Sequence, residues 1–100
     1  VKSEVEKYLL AVLHTGDVSI NRIAPLLGMS RQTLYRRLKS EGVTYQSVLD
    51  DLRRRMALDY LGARRVSVNE TAYLVGFSDP AAFSRAFKRW TGRSPREARR

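Results

Sequence analysis

The sequence predicts an all-α fold of about seven helices, with two helix-turn-helix units joined by a long linker helix in a homeodomain-like tandem. Three observations support this prediction. Apolar residues recur at helical spacing along the chain, a segment that begins at Ser19 is repeated from Ser67, and a long amphipathic stretch separates the two copies. The chain has no cysteine, so neither a disulfide nor a thiolate metal site contributes to the fold.

The first predicted helix precedes the repeat. Ser3 and Glu6 have the spacing of a capping box, and Thr15 with Gly16 marks the end of the helix. His14 lies in the last turn without a second potential ligand nearby, so we assign it no chemistry. The apolar stripe of this helix is formed by Val5, Tyr8, Leu9, Val12 and Leu13.

The two copies of the repeat are predicted to be helix-turn-helix units, over about residues 19–42 and about residues 67–92. In each copy a glycine stands between two helical segments, where a tight turn requires a positive φ. A duplicated supersecondary unit therefore explains the repeat. The identical pairs are Ser19 and Ser67, Asn21 and Asn69, Ala24 and Ala72, Leu26 and Leu74, Gly28 and Gly76, and Ser30 and Ser78.

Serine residues define the predicted helix starts in both copies. Ser19 and Ser67 precede the first helices, and Glu70 completes a capping box in the second copy. Ser30 and Ser78 are the predicted N-caps of the second helices, because a serine hydroxyl accepts a hydrogen bond from a free N–H of the first turn.

The linker helix is predicted over about residues 44–62, with Thr44 as its N-cap. About eighteen residues at helical rise would span roughly 27 Å. Asp50 and Asp51 precede the arginine run 53–55 at spacings that permit ion pairs within the helix. Phosphate contact and simple solvated charge both remain open for this run. The predicted core positions are Val48, Leu49, Leu52, Met56 and Tyr60.

Positive charge is concentrated on two segments of this chain, whose formal net charge is +9. Residues 31–39 hold four basic side chains and no acid, and residues 85–100 hold seven against Glu97 alone. Charge focused on the second helices of two related units indicates a surface that binds a polyanion such as DNA, with a solvated basic face as the alternative. Two interpretations are open for the arginines that end the chain, contact with phosphate and a frayed tail, of which the tail is slightly favoured.

Helical-wheel geometry selects equivalent exposed positions on the two second helices. Leu34 and Leu38 face the core in the first copy. Phe83, Phe87 and Trp90 do so in the second, where stacking on unpaired bases is the less favoured interpretation. The exposed positions are Gln32, Tyr35, Arg36 and Lys39 in the first copy and Ala81, Ser84, Arg85 and Lys88 in the second.

These positions include side chains suited to bases and side chains suited to phosphates. Arginine can bind guanine, and glutamine can bind adenine, through two hydrogen bonds. The predicted base-reading residues are Gln32, Tyr35, Arg36, Ala81, Ser84 and Arg85. The predicted backbone-binding residues are Arg31, Arg37, Lys39, Pro80, Lys88 and Arg89.

The two units are expected to contribute unequally. Pro80, Ala81 and Ala82 offer DNA only apolar contact, so the second unit should bind more through phosphates and less through bases. The predicted linker length is close to the ~34 Å between successive major grooves on one face of DNA. We therefore expect the two recognition helices to enter successive grooves.

Residues 76–95 also follow a recognisable order. Gly-Phe-Ser at 76–78 is followed, after a short run, by Phe-Ser-Arg-Ala-Phe-Lys at 83–88 and Gly-Arg-Ser-Pro at 92–95. This order closely resembles the signature of AraC/XylS-type transcriptional regulators. Arg53, Ala57, Tyr60 and Leu61 likewise resemble the linker-helix motif of that family.

The resemblance implies a bacterial regulator that binds specific sequences in double-stranded DNA, with residues 1–100 as its C-terminal DNA-binding domain. It implies a separate N-terminal sensor domain outside this chain, through which a small-molecule effector acts. It also implies contact with RNA polymerase and a cytoplasmic, nucleoid-associated location. Activation is the working assignment, although no residue distinguishes it from repression.

The sequence argues against an enzyme and predicts no cofactor and no metal. It contains one histidine, no cysteine and no phosphate-binding glycine loop, and no apolar run approaches the ~18 residues of a membrane span. Two alternatives to a sequence-specific regulator remain. One is an architectural protein that binds DNA mainly through phosphates without sequence preference, and the weaker one is a basic protein-interaction domain.

Overall fold

The structure is a computed structural model that describes residues 1–99. It contains seven α-helices and one 3₁₀ turn. No strand occurs among these residues, so the predicted all-α class is confirmed for them. The helices are α1 (Lys2–Val12, followed by the 3₁₀ turn Leu13–Thr15), α2 (Ile20–Leu26), α3 (Arg31–Ser40), α4 (Tyr45–Ala63), α5 (Val68–Leu74), α6 (Pro80–Thr91) and α7 (Pro95–Arg99).

Helix α4 is the element on which the others pack. Its 19 residues span about 28 Å at helical rise, and it contacts α1, α5, α6 and α7. One continuous hydrophobic core extends through both helix-turn-helix units, and the molecule is elongated, with extents of 41 × 24 × 21 Å. The buried residues of α4 are Val48, Leu49, Leu52, Ala57 and Leu61.

Helix α1 begins without the predicted capping box, so that prediction is wrong. The helix starts at Lys2, which places Ser3 inside the first turn, and no side chain caps it. Glu6 is instead paired with Arg55 of α4, a partner 49 positions away. The carboxylate therefore joins two helices rather than capping its own. The predicted end is confirmed, because Gly16 closes the 3₁₀ turn in a left-handed conformation.

The start of α5 follows the prediction closely. The Ser67 hydroxyl accepts a hydrogen bond from the Glu70 N–H at 3.0 Å, and the Glu70 carboxylate accepts one from the Ser67 N–H at 3.1 Å. The start of α2 is weaker, because Ser19 occupies the N-cap position without a side-chain hydrogen bond to the helix. The serine that precedes the first helix of each unit therefore caps that helix through its side chain in the second unit only.

The last described residues form a short helix, α7, which is joined to the end of α4. Arg99 belongs to α7, and its carbonyl accepts a hydrogen bond from Nε of Arg64 at 3.0 Å. The interpretation of the terminal arginines as a tail is therefore wrong for Arg99, while Arg100 lies outside the described residues. Within residues 1–99 no helix has both the length and the apolar composition needed to cross a bilayer.

Gly76 lies where the second helix-turn-helix unit closely approaches the 3₁₀ turn that follows α1. Its φ is +96°, and a Cβ at this position would lie 2.6 Å from the carbonyl oxygen of Leu13. The same hypothetical Cβ would lie 3.6 Å from the α-carbon of Gly16. The turn of the second unit therefore packs against the end of α1 through backbone atoms, which only glycine permits here.

Substitution of Gly76 tests this contact. We expect Gly76→Ala to destabilise the fold by at least about 2 kcal/mol, because a positive φ and a backbone clash both oppose a Cβ. Gly42→Ala is the matched control, since Gly42 has φ +81° but open space around its hypothetical Cβ. Urea unfolding followed by circular dichroism measures both changes. Equal losses of stability would contradict a role for the close approach to Leu13.

Candidate nucleic-acid interface

Helix α3 presents the first of two exposed basic faces. Leu34 and Leu38 are fully buried and fix the inner side of the helix. Ser30 caps its start as predicted, since the serine hydroxyl accepts a hydrogen bond from the Thr33 N–H at 3.1 Å. All six residues of α3 predicted to contact DNA are exposed, namely Arg31, Gln32, Tyr35, Arg36, Arg37 and Lys39.

An open cavity of about 540 Å³ lies beside this face. It is lined by Ile20 of α2 and by Arg31, Gln32, Tyr35 and Arg36 of α3. The structure thus brings the three predicted base-reading side chains of the first unit together around one concavity. A concavity that combines an aliphatic side chain with amide and guanidinium groups suits a base edge, because thymine presents a methyl group beside polar atoms.

Helix α6 presents the second basic face. Phe83, Ala86 and Phe87 are buried, whereas Ala81, Arg85, Lys88 and Arg89 are exposed and Pro80 and Ser84 are partly exposed. The helix has an apolar inner side and a small, cationic outer side, as the wheel predicts. The outer side of α6 nevertheless offers fewer hydrogen-bonding groups near its start than that of α3.

The aromatic residues of the second unit form part of the core. The ring of Phe77 lies 5.7 Å from that of Phe83 and 6.0 Å from that of Trp90, and the rings of Phe83 and Phe87 are 5.8 Å apart. These tilted arrangements are typical of packed aromatic side chains. The prediction of core packing is confirmed for Phe83, Phe87 and Trp90, and Phe77, which was not part of that prediction, packs with them.

The predicted cap of α6 is wrong by one residue. Asp79, not Ser78, is the N-cap, and its Oδ1 accepts a hydrogen bond from the Ala81 N–H at 2.9 Å. The reason is one additional residue in the second copy: Pro80 follows the turn glycine Gly76 by four positions, whereas Arg31 follows Gly28 by three, so the helix start moves to Pro80. Proline is favoured at the first helical position because its fixed φ suits the helix and its missing N–H is not needed there.

The arginine run on α4 is engaged inside the protein. Nε of Arg53 donates to the carbonyl oxygen of Val75 at 3.0 Å, and the guanidinium of Arg53 lies 4.7 Å from the centre of the Phe77 ring. Burial lowers the pKa of Arg53. Arg54 and Arg55 both pair with Asp51, at 2.9 and 3.0 Å. These contacts favour a structural role for the run over phosphate contact.

Two further side chains of α4, Asp51 and Tyr45, have shifted pKa values, and Tyr45 also joins α4 to the segment that precedes α2. The hydrogen bond from Arg54 is the main reason why the pKa of Asp51 lies below its usual value. The hydroxyl of Tyr45 donates to the carbonyl of Val18 at 2.7 Å, and burial raises the pKa of Tyr45 to about 12. Sequence reasoning missed the Tyr45 and Arg53 contacts, because their partners lie 27 and 22 positions away.

The geometry defines a tandem helix-turn-helix domain with two cationic recognition faces. A family model described as a helix-turn-helix domain matches residues 9–100. The ornithine utilization regulator of Pseudomonas aeruginosa is 43% identical over 98 residues, which are 97% of this chain and 28% of that protein. The activator RhaS of Escherichia coli O139:H28 is 39% identical over 84 residues, 83% of this chain and 30% of that protein.

Solved structures agree with these sequence relatives. The DNA-binding domain of AdpA, a global transcriptional factor solved with a target DNA, matches with a TM-score of 0.83 and 32% identity. The match covers 98% of this chain and 88% of that one. The chain belongs to the AraC-type helix-turn-helix family, whose members are DNA-binding transcription regulators and not enzymes. The chain spans less than a third of the length of each of these two curated relatives.

The predictions of family, tandem all-α fold, DNA-binding regulatory class and non-enzymatic nature are therefore confirmed. Among residues 1–99, no three His, Cys, Asp or Glu side chains are grouped as metal ligands would be. The structure places the predicted DNA-contacting side chains on the outer faces of α3 and α6, and their individual roles remain predictions.

The displaced cap of α6 leads to a direct test. Asp79→Ala should reduce the free energy of unfolding by about 1 kcal/mol, because it removes the acceptor for a free N–H of the first turn. Ser78→Ala, one residue away and equally exposed, should leave stability nearly unchanged. Thermal unfolding of the two variants makes the comparison, and a larger loss for the Ser78 variant would contradict the assignment of Asp79 as the cap.

The contact between Arg53 and the second unit predicts a larger effect. Arg53→Met should cost about 2 kcal/mol, because it leaves the partly buried Val75 carbonyl without its charged donor. Arg54→Met is the control, since both side chains of the Arg54–Asp51 pair are more than a third exposed and such surface pairs contribute about 1 kcal/mol or less. Urea unfolding should therefore separate the two variants, and similar midpoints would contradict a special role for Arg53.

Proposed function

We propose that residues 1–100 form the DNA-binding domain of a longer bacterial transcription regulator that recognises specific sequences in double-stranded DNA. The main supporting observation is the pair of exposed basic faces on α3 and α6, at equivalent places in two helix-turn-helix units. The second helix of such a unit enters the major groove. Helix α4 is long enough to separate the two units by nearly one helical turn of DNA.

The first unit supplies most of the base recognition. Gln32, Tyr35 and Arg36 line one concavity, where glutamine suits adenine and arginine suits guanine. The second unit reads bases through Arg85, with lesser contributions from Ala81 and Ser84. The remaining residues position the helices on phosphates, namely Arg31, Arg37, Lys39, Pro80, Lys88 and Arg89.

The proposal includes a sensor domain with a small-molecule effector, contact with RNA polymerase, and a location at the nucleoid. The curated relatives are more than three times as long as the matched region, which leaves room for a sensor domain that binds a small-molecule effector. One of them is named an activator, which supports activation through contact with RNA polymerase. A ligand that is chromosomal DNA would place the protein in the cytoplasm at the nucleoid.

An architectural role is the second candidate. It is favoured by the apolar start of α6, where Pro80 and Ala81 offer no hydrogen bond to a base. Selection of binding sites from a random duplex library at two salt concentrations separates the two functions. Two enriched patches about one helical turn apart support sequence-specific binding by both units. No enrichment, with binding lost in salt, supports the architectural role.

Two neighbouring arginines on α3 provide a sharper test. Arg36→Ala should cost about 1–3 kcal/mol on the best site and relax the preference at one base pair, because it removes a base contact. Arg37→Ala, with the same change in charge, should weaken binding to all sequences about equally. Titration of both variants against the selected site and against single-base variants makes the comparison. A uniform loss for Arg36→Ala would identify Arg36 as a phosphate ligand.

A further inference from the structure

A basic groove lies on the second unit, and no residue of either recognition helix lines it. It is an open cavity of about 410 Å³ lined by Arg64, Ser67, Val68, Asn69, Arg96 and Arg99. These residues come from the end of α4, the start of α5 and α7, and none of them belongs to α3 or α6. Three of the six are arginines, and none of these described lining residues is acidic.

The backbone brings these arginines together in an unusual way. Arg64 ends α4 with φ at +58°, and among residues 1–99 it is the one non-glycine residue with a positive φ. A left-handed conformation costs a side-chain-bearing residue about 1–2 kcal/mol. Nε of Arg64 then donates to the carbonyl of Arg99, which joins the end of α4 to the end of α7. This hydrogen bond uses one of five donors, so the Nη groups of Arg64 can still bind a ligand.

The chemistry of the groove indicates an oxyanion ligand. A guanidinium presents paired donors that match the oxygens of phosphate. Within residues 1–99, Arg96 is exposed and forms no ion pair or hydrogen bond with its neighbours. Like-charged side chains at one concavity repel each other, and an anion bound between them would relieve that repulsion.

The position of the groove favours a phosphate of the DNA backbone. In a helix-turn-helix unit the second helix enters the major groove while the first helix crosses the backbone. Helix α5 is the first helix of the second unit, and Ser67, Val68 and Asn69 at its start line the groove. We propose that Arg64, Arg96 and Arg99 bind a backbone phosphate beside the major groove contacted by α6. The proposal rests on the function proposed above.

A phosphate contact at this groove would compensate for the few base contacts that the start of α6 can make. The start of α6 has few groups that can hydrogen-bond to bases, so the second unit needs affinity from another source. A phosphate bound beside α5 would hold that unit on the duplex and fix its register without reading sequence. Variants of the groove should therefore change affinity and its salt dependence while leaving the ranking of binding sites unchanged.

The test uses the chain of residues 1–100 and a duplex that contains its selected site. Affinity is measured over a series of salt concentrations for wild type and for Arg96→Gln. The slope of log K against log salt should decrease in magnitude by about 1 for the variant, because one phosphate contact is lost. Arg65→Gln is the control, since Arg65 is exposed, adjacent to Arg64 and outside the groove. It removes the same charge and should change the slope much less.

Neutral methylphosphonate groups, placed one at a time in the backbone, then locate the phosphate. At one position the substitution should weaken binding of wild type and of Arg65→Gln but hardly affect Arg96→Gln. Arg64→Gln should behave like Arg96→Gln, provided that thermal unfolding shows an intact fold after loss of the Arg99 hydrogen bond. Equal slopes for Arg96→Gln and Arg65→Gln, or no position coupled to Arg96, would overturn the proposal.

Two further outcomes distinguish failure of the groove contact from failure of the proposed regulatory function. If wild type prefers its selected site but Arg96→Gln behaves like the control, the regulatory function stands and the groove contact fails. If wild type has no site preference, the proposed function fails, whatever the groove does. Inorganic phosphate is the probe for a free anion. If it shifts the Arg96 side-chain NMR signal in the absence of DNA while the salt slopes stay equal, the groove binds a small anion and not the duplex.

Discussion

The guanidinium of Arg53 connects the linker helix to the turn of the second unit, and the orientation of α6 depends on this connection. It donates to the carbonyl of Val75 and lies over the ring of Phe77. Phe77 in turn packs against Phe83 and Trp90 on the inner side of α6. A charge that is partly buried is tolerated because both of its partners are electron-rich. One side chain of α4 therefore positions the cationic face of α6.

The same region shows why the turn needs glycine. Nη2 of Arg53 lies 3.1 Å from the place where a Cβ on residue 76 would stand, and the Leu13 carbonyl is closer still. The end of α1, the linker helix and the second unit meet at this point. These contacts join elements that are distant in sequence, while the outer faces of α3 and α6 remain exposed.

The two units share a backbone plan but differ in surface chemistry. The concavity beside α3 gathers glutamine, tyrosine and arginine side chains, which suit base edges. The second unit pairs a recognition helix that begins with proline and alanine with a groove that contains three arginines. The two units therefore share a backbone geometry, while their exposed residues differ in the hydrogen-bonding and charged groups that they present.

The sequence by itself determined the helices, the two glycine turns and the exposed faces of α3 and α6, because these depend on spacing within a few residues. The tertiary structure decided which charged groups remain exposed and which hold the fold together. Glu6 does not cap α1 because the helix begins at Lys2, before Ser3, and its carboxylate pairs instead with Arg55, 49 positions away. Arg53 is engaged by Val75, whereas Arg64 and Arg96 meet at an open groove. Such choices depend on partners brought together only by packing, and no local pattern encodes them.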